Sequence, residues 1–221
     1  MIIKYDMIKK KNSKIDKTRK GEGYMKKTII TISREFGSGG RTIGRKVAQE
    51  LGFAFYDKEL IEKVAEESGF HKQYIEEQGE YAPAKSSFAY AFIGRDRNGM
   101  SVSDYIWQAQ RKIILSLAEK GNCVIVGRCA DYILRDREDC LNVFIHASME
   151  KRAERIVKLY GETDKAPKKR LEEKDKKRKI NYRYYTDREW GVSQNYHICL
   201  DSGEFGIEKC VKIIADLARE E

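Results

Sequence analysis

Five short apolar runs alternate with stretches of helical spacing along this 221-residue chain. Residues 27–33 (Lys-Thr-Ile-Ile-Thr-Ile-Ser) are β-branched and apolar, as in a strand buried on both faces of a parallel sheet. Ile43, Val47 and Leu51 then recur at helical spacing, and Gly52 stops that helix. Residues 53–56 predict a second strand ending at Asp57, followed by helices over 58–68 and 71–79 with Gly69 between them. Residues 80–101 carry neither period and read as an insertion. From Ser103 a long helix runs to Lys120, with Ile106, Ile113, Ile114 and Leu117 on one side and Gly121 as its stop. Residues 123–127, 140–147 and 196–200 predict the third, fourth and fifth strands, and 206–219 a closing helix. Such alternation predicts an α/β fold whose parallel sheet is covered on both faces, within one domain.

Residues 1–24 have no period and are polar and lysine-rich, which predicts a disordered basic leader. Met25 leads directly into a strand, and residues 20–23 (Lys-Gly-Glu-Gly) can be encoded by a purine-rich stretch resembling a ribosome-binding site. Two expectations follow: a genuine basic tail, or a start of translation at Met25.

Composition narrows the classes. No apolar run approaches the roughly 18 residues of a membrane span, and no secretion signal opens the chain. Five cysteines without a C-x-x-C pair predict reduced thiols and a cytoplasmic protein, and three well-separated histidines argue against zinc. The net charge of +9 is not spread evenly. Residues 1–24 hold eight Lys/Arg against three acids (+5), and residues 165–183 ten against three (+7), leaving the rest at −3. A mildly acidic body makes nucleic acid an unfavoured partner, although Tyr182, Tyr184 and Tyr185 beside the second basic segment keep that alternative in view.

The candidate chemistry lies between the first strand and its helix, in Gly37, Ser38, Gly39, Gly40, Arg41 and Thr42. Glycines let the backbone approach an anion, and the loop delivers amide N–H groups at the positive end of a helix. The other reading is a tight strand-to-helix turn with no ligand. The pattern G-x-x-x-x-G-K-[ST] is incomplete in either register. Ending it on Gly40-Arg41-Thr42 keeps a hydroxyl for magnesium but puts Arg where Lys belongs; ending it on Gly39-Gly40 puts glycine there. Arg34 or Arg41 could supply the charge, and both stay open. A dinucleotide fingerprint is the weaker competitor, since Thr42 takes the place of its third glycine.

Four stretches together resemble the cytidylate-kinase-like branch of the nucleoside monophosphate kinases. They are residues 31–41 (Thr-Ile-Ser-Arg-Glu-Phe-Gly-Ser-Gly-Gly-Arg), 55–61 (Phe-Tyr-Asp-Lys-Glu-Leu-Ile), 126–132 (Val-Gly-Arg-Cys-Ala-Asp-Tyr) and 144–152 (Phe-Ile-His-Ala-Ser-Met-Glu-Lys-Arg). The resemblance covers roughly residues 27–219. It implies a P-loop NTPase-type three-layer sandwich with a five-stranded parallel sheet in the order 2-3-1-4-5. It also implies a substrate-binding insertion at 58–103 and a basic lid at about 160–190. By this similarity Asp57 meets the acceptor nucleotide and Arg128 grips its phosphate. Residues 168–178 are similar to the family's lid helix, with several arginines replaced by lysines.

The resemblance therefore implies ATP and Mg2+ as cofactors and nucleotides as partners. Phosphoryl transfer runs on positioning and electrostatics, which a cationic lid supplies. Expected catalytic residues are Arg41, Arg128, Lys174 and Arg178, with a lesser part for Arg170. Asp57, Arg128 and Asp175 would bind the acceptor, the loop from Gly37 to Thr42 the donor phosphates, and Thr42 or Ser38 would approach the metal. The alternatives are a nucleotide-binding regulator or pseudokinase of the same fold, and a nucleic-acid-binding protein.

Overall fold

The computed structural model describes residues 27–69, 71–72 and 100–219. The leader, nearly all of the helix expected at 71–79 and the stretch at 80–99 lie outside these residues.

Five strands, β1 (Ile29–Arg34), β2 (Ala54–Tyr56), β3 (Cys123–Val126), β4 (Cys140–His146) and β5 (Ile198–Asp201), form one sheet in the order β2-β3-β1-β4-β5. Every pairing is parallel, with Ile29 opposite both Cys123 and Cys140. Among the described residues, seven α-helices surround it: α1 (Gly40–Leu51), α2 (Lys58–Ser68), α3 (Val102–Lys120), α4 (Ala130–Ile133), α5 (Met149–Tyr160), α6 (Pro167–Thr186) and α7 (Ser202–Ala218).

The two-residue period of the strands sorts their side chains between two apolar layers. Ile30, Ile32, Val124, Val126, Val143 and Ile145 pack with Ile43 and Val47 of α1 and Val211 and Ile214 of α7. Ile29, Cys123, Ile125 and Cys140 face the opposite side, against Leu60 and Val64 of α2 and Ile106, Ile114 and Leu117 of α3. The expected sandwich and strand order are both present. β1 sits at the centre, and the chain leaves its carboxyl end into the glycine-rich loop. There the order reverses, and a crevice opens at the strand ends.

Several boundaries differ from the sequence reading for local reasons. Helix α3 begins one residue earlier, because Ser101 and Asp104 form a reciprocal capping box. The closing helix starts at Ser202 rather than 206: the Asp201 carboxylate accepts from the amides of Gly203 and Glu204, and Gly206 is a kink within the helix. Helix α5, not foreseen as an element, has Ser148 as its cap and buries Arg152 and Ile156.

Candidate functional site

Beyond Arg34 the backbone turns through Gly37 (φ +81°) and Gly39 (φ +83°), both left-handed, which side-chain-bearing residues seldom adopt. The Ser38 amide and hydroxyl both donate to the carbonyl of Glu35, at 3.2 and 2.9 Å. Gly39 precedes α1 without a side-chain cap and no acid occupies the first turn, whereas Ser101, Ser148 and Asp201 cap α3, α5 and α7. The amides of Gly40, Arg41 and Thr42 begin that helix, so none has a carbonyl of its own helix to bond. This is the arrangement in which a helix N-terminus receives an anion.

Two helices hold the loop from outside. Arg152 of α5, buried, donates to the carbonyl of Phe36 at 3.2 Å and to Asp175 at 2.6 Å, and lies 3.3 Å from the Glu35 carboxylate. Arg155 donates to the carbonyl of Gly37 at 3.0 Å, and burial pulls its guanidinium below its ordinary pKa. From α6, Asp175 accepts the Phe36 amide at 2.7 Å, and Arg178 donates to the carbonyl of Arg34 at 3.2 Å. The basic segment is thus divided by the helical period. Leu171, Asp175, Arg178, Asn181 and Tyr182 turn inward, while Lys176, Lys177 and Lys179 are exposed.

A small polar cleft beside the loop is lined by Arg34, Arg128 and Arg178, all buried, with Asn181 and Trp190. Arg128 follows β3 within three consecutive left-handed residues, Gly127 (φ 72°), Arg128 (φ 61°) and Cys129 (φ 53°). That conformation strains a non-glycine residue, and the buried Gln110 of α3 anchors it by donating to the Arg128 carbonyl at 3.1 Å. Beneath the cleft Asp131 accepts from Tyr182 at 2.7 Å and Ser33 at 3.2 Å. Full burial raises the Asp131 carboxyl above its ordinary range, while these hydrogen bonds oppose the shift. Burial likewise pushes the Tyr182 phenol far up.

The structure gathers Arg128 and Arg178 at one cleft and sets Asp175 against the loop through Phe36. Arg41 goes elsewhere: its guanidinium, 45% exposed, lies 2.5 Å from the Asp57 carboxylate at the end of β2. Thr42 is exposed on the first turn of α1, and Lys174 is half-buried on α6. Ser38 is fully buried with its hydroxyl committed to Glu35, which leaves Thr42 as the hydroxyl facing outward from this turn. Of the three tyrosines that could stack on bases, Tyr182 is buried and Tyr185 stacks on Trp107 at 4.3 Å. Arg152, Arg155, Gln110 and Asp131 were not singled out from the sequence. Arg152 carries no local signal, because an arginine on a helix reads as surface until its distant partner Asp175 is placed beside it.

Among the described residues no group of three His, Cys, Asp or Glu is placed to hold a metal ion. None of the described helices is long and apolar enough to cross a membrane.

Comparison with known proteins agrees with this fold. A cytidylate kinase of Archaeoglobus fulgidus is 29% identical over 190 residues, covering 84% of this chain and 91% of its own. Cytidylate kinase 2 of Borreliella afzelii is 27% identical over 133 residues, 60% of this chain; the match spans only 62% of that relative. An uncharacterized protein from Eubacterium ventriosum superposes with a TM-score of 0.66 at 27% identity, over 87% of this chain and 98% of that one. A shikimate kinase from Acinetobacter baumannii shares the fold at a TM-score of 0.50 and 16% identity, covering 86% and 92% of the two chains. With the model of the cytidylate kinase-like family matching residues 29–204, the chain belongs to that family.

Proposed function

We propose that the protein transfers the γ-phosphoryl group of ATP to a nucleoside monophosphate. The observation that carries this reading is the convergence of Arg34, Arg128 and Arg178 on one cleft beside an uncapped helix N-terminus. The helix N-terminus suits the donor phosphates, and the cleft beside it suits the group in transfer and the acceptor phosphate. A transition state with charge spread over equatorial oxygens is stabilised by such fixed cations.

In this reading the amides of Gly37, Gly39 and Gly40 and the first turn of α1 cradle the donor phosphates. The Thr42 hydroxyl would help to hold magnesium, which would supply positive charge against the phosphate oxygens. Arg128 holds the acceptor phosphate, and Arg178, with Lys174 beside it, covers the reacting groups from α6. No general base is required, because the acceptor phosphate is already nucleophilic. Asp57, held by Arg41, stands at the end of β2, where the family resemblance puts the acceptor nucleoside. The work of Asp175 is to fix α6 on the loop through Phe36 and Arg152. Domain limits of 25–221, with an insertion at 58–103 and a lid at about 160–190, belong to the same proposal, as does action in the cytoplasm.

A coupled ADP-release assay with ATP and magnesium against the common nucleoside monophosphates tests it, with wild type beside Arg128→Ala. Turnover with at least one acceptor, lost by 10²-fold or more in the variant, is expected. Tight ATP binding without transfer to any acceptor would instead favour the regulator or pseudokinase reading.

A further inference from the structure

Position 40, where one register of the phosphate-loop pattern expects lysine, is glycine, and the structure gives a steric reason. A Cβ placed on Gly40 would stand 2.5 Å from Cβ and 3.0 Å from Cγ of Arg34. Carbon atoms that are not bonded sit about 3.5–4.0 Å apart at their optimum. The contact falls on the root of the arginine side chain rather than its flexible end, so neither residue can swing away cheaply. The stem of Arg34, rising from the last position of β1, fills the space into which a side chain at position 40 would grow.

Arg34 is buried and lines the cleft with Arg128 and Arg178, and its backbone is pinned from α6 by Arg178 at 3.2 Å. Arg41, the other candidate for the missing charge, is engaged with Asp57 at 2.5 Å and nearly half exposed. We propose that the loop's phosphate-binding cation has been moved by six positions. Arg34 supplies from the strand the charge that a lysine at position 40 would supply from the helix, and Gly40 is glycine to let it pass. The ligand is the polyphosphate tail of a nucleoside triphosphate. This inference rests on the function proposed above and adds the residue that holds the donor. An arginine there presents a planar fork rather than a point charge, so it would engage two phosphate oxygens at once.

The test is an exchange of the two positions, read by equilibrium ATP binding and by the melting temperature of the ligand-free protein. Arg34→Met, which keeps the apolar stem, should weaken ATP binding by about 10- to 100-fold. Gly40→Lys alone should lower the melting temperature, because the new stem meets that of Arg34. The double variant Arg34→Gly/Gly40→Lys should melt higher than Gly40→Lys and bind ATP at least tenfold more tightly than Arg34→Gly. If Arg34→Met binds ATP as wild type does while Arg41→Ala is weakened, the relocation is wrong and the kinase reading stands. If wild type itself binds no ATP at millimolar concentration, both fall together.

Discussion

Arg152 is the residue on which the contact between the loop and α6 depends most, and replacing it gives a sharp test of that architecture. Its side chain is only 6% exposed and is 2.6 Å from Asp175, whose own side chain is 11% exposed. It also lies 3.3 Å from Glu35, whose side chain is 26% exposed, and donates to the carbonyl of Phe36 at 3.2 Å. Arg152→Met keeps much of the apolar volume but leaves the Asp175 carboxylate with only the more distant Arg178, at 3.5 Å, in a site where water reaches it poorly. Breaking a buried pair by removing one partner costs about 3–5 kcal/mol. Glu35 can turn toward solvent and Asp175 retains the Phe36 amide, so the lower end, about 3 kcal/mol, is expected here. For a domain of this size that is a loss of about 6–12 °C in melting temperature. Circular dichroism melts at pH 7.5 would measure it. Lys168→Met, which removes an ion pair with Glu150 whose side chains are 62% and 65% exposed, should move the melt by about 2 °C at most. Adding Asp175→Asn to Arg152→Met should recover part of the loss, because the neutral amide oxygen still accepts from Phe36. An Arg152→Met melt within about 2 °C of wild type would refute the view that this buried pair holds α6 to the loop.

Three further outcomes follow from single sites. Arg128→Gly relieves the left-handed strain, about 1 kcal/mol, yet should abolish phosphoryl transfer; a folded variant that is fully active would contradict the role given to Arg128. His197 accepts the Asn142 amide at Nδ1, and burial, then Lys27, lowers its pKa from 6.5. The unfolded chain therefore binds the proton first, and stability from this site, complete above 6.5, declines as pH falls below it; urea midpoints at pH 7.5 and 5.5 should draw closer in His197→Gln. Burial pushes the thiols of Cys123 and Cys140 up to about 11 and about 12, so in native protein a disulfide reagent should label the half-buried Cys199 well before either. Rapid labelling of Cys123 or Cys140 without denaturant would show that the sheet opens more easily than its packing implies.

β1, β3 and β4 were legible in the sequence because they are buried almost throughout and so read as largely apolar runs, whereas the edge strands β2 and β5 are only partly buried and short. Helices with a cap and a stop, such as α3 between Ser101 and Gly121, were legible to within a residue or two. Helix α5 escaped because its inward face includes an arginine, which a hydrophobic pattern counts as surface. Arg152 is buried because Asp175, 23 residues away, and Glu35, in the loop, neutralise it, and no local signal announces such a pairing. The same limit applies to Arg34 and Gly40. The sequence shows that a lysine is missing, but the reason lies in a 2.5 Å approach between the end of a strand and the start of a helix. Asp131 stood within a quoted motif, yet its burial beneath Tyr182 becomes visible only when α4 and α6 are brought together.

The central claim is that this fold moves a phosphoryl group between nucleotides, and 31P NMR of the products tests it most directly. With wild-type protein, ATP, magnesium and a pyrimidine monophosphate, the account predicts that the monophosphate resonance declines as those of two nucleoside diphosphates grow in equal amounts. ATP and every nucleoside monophosphate left unchanged, or inorganic phosphate as the only new product, would contradict it.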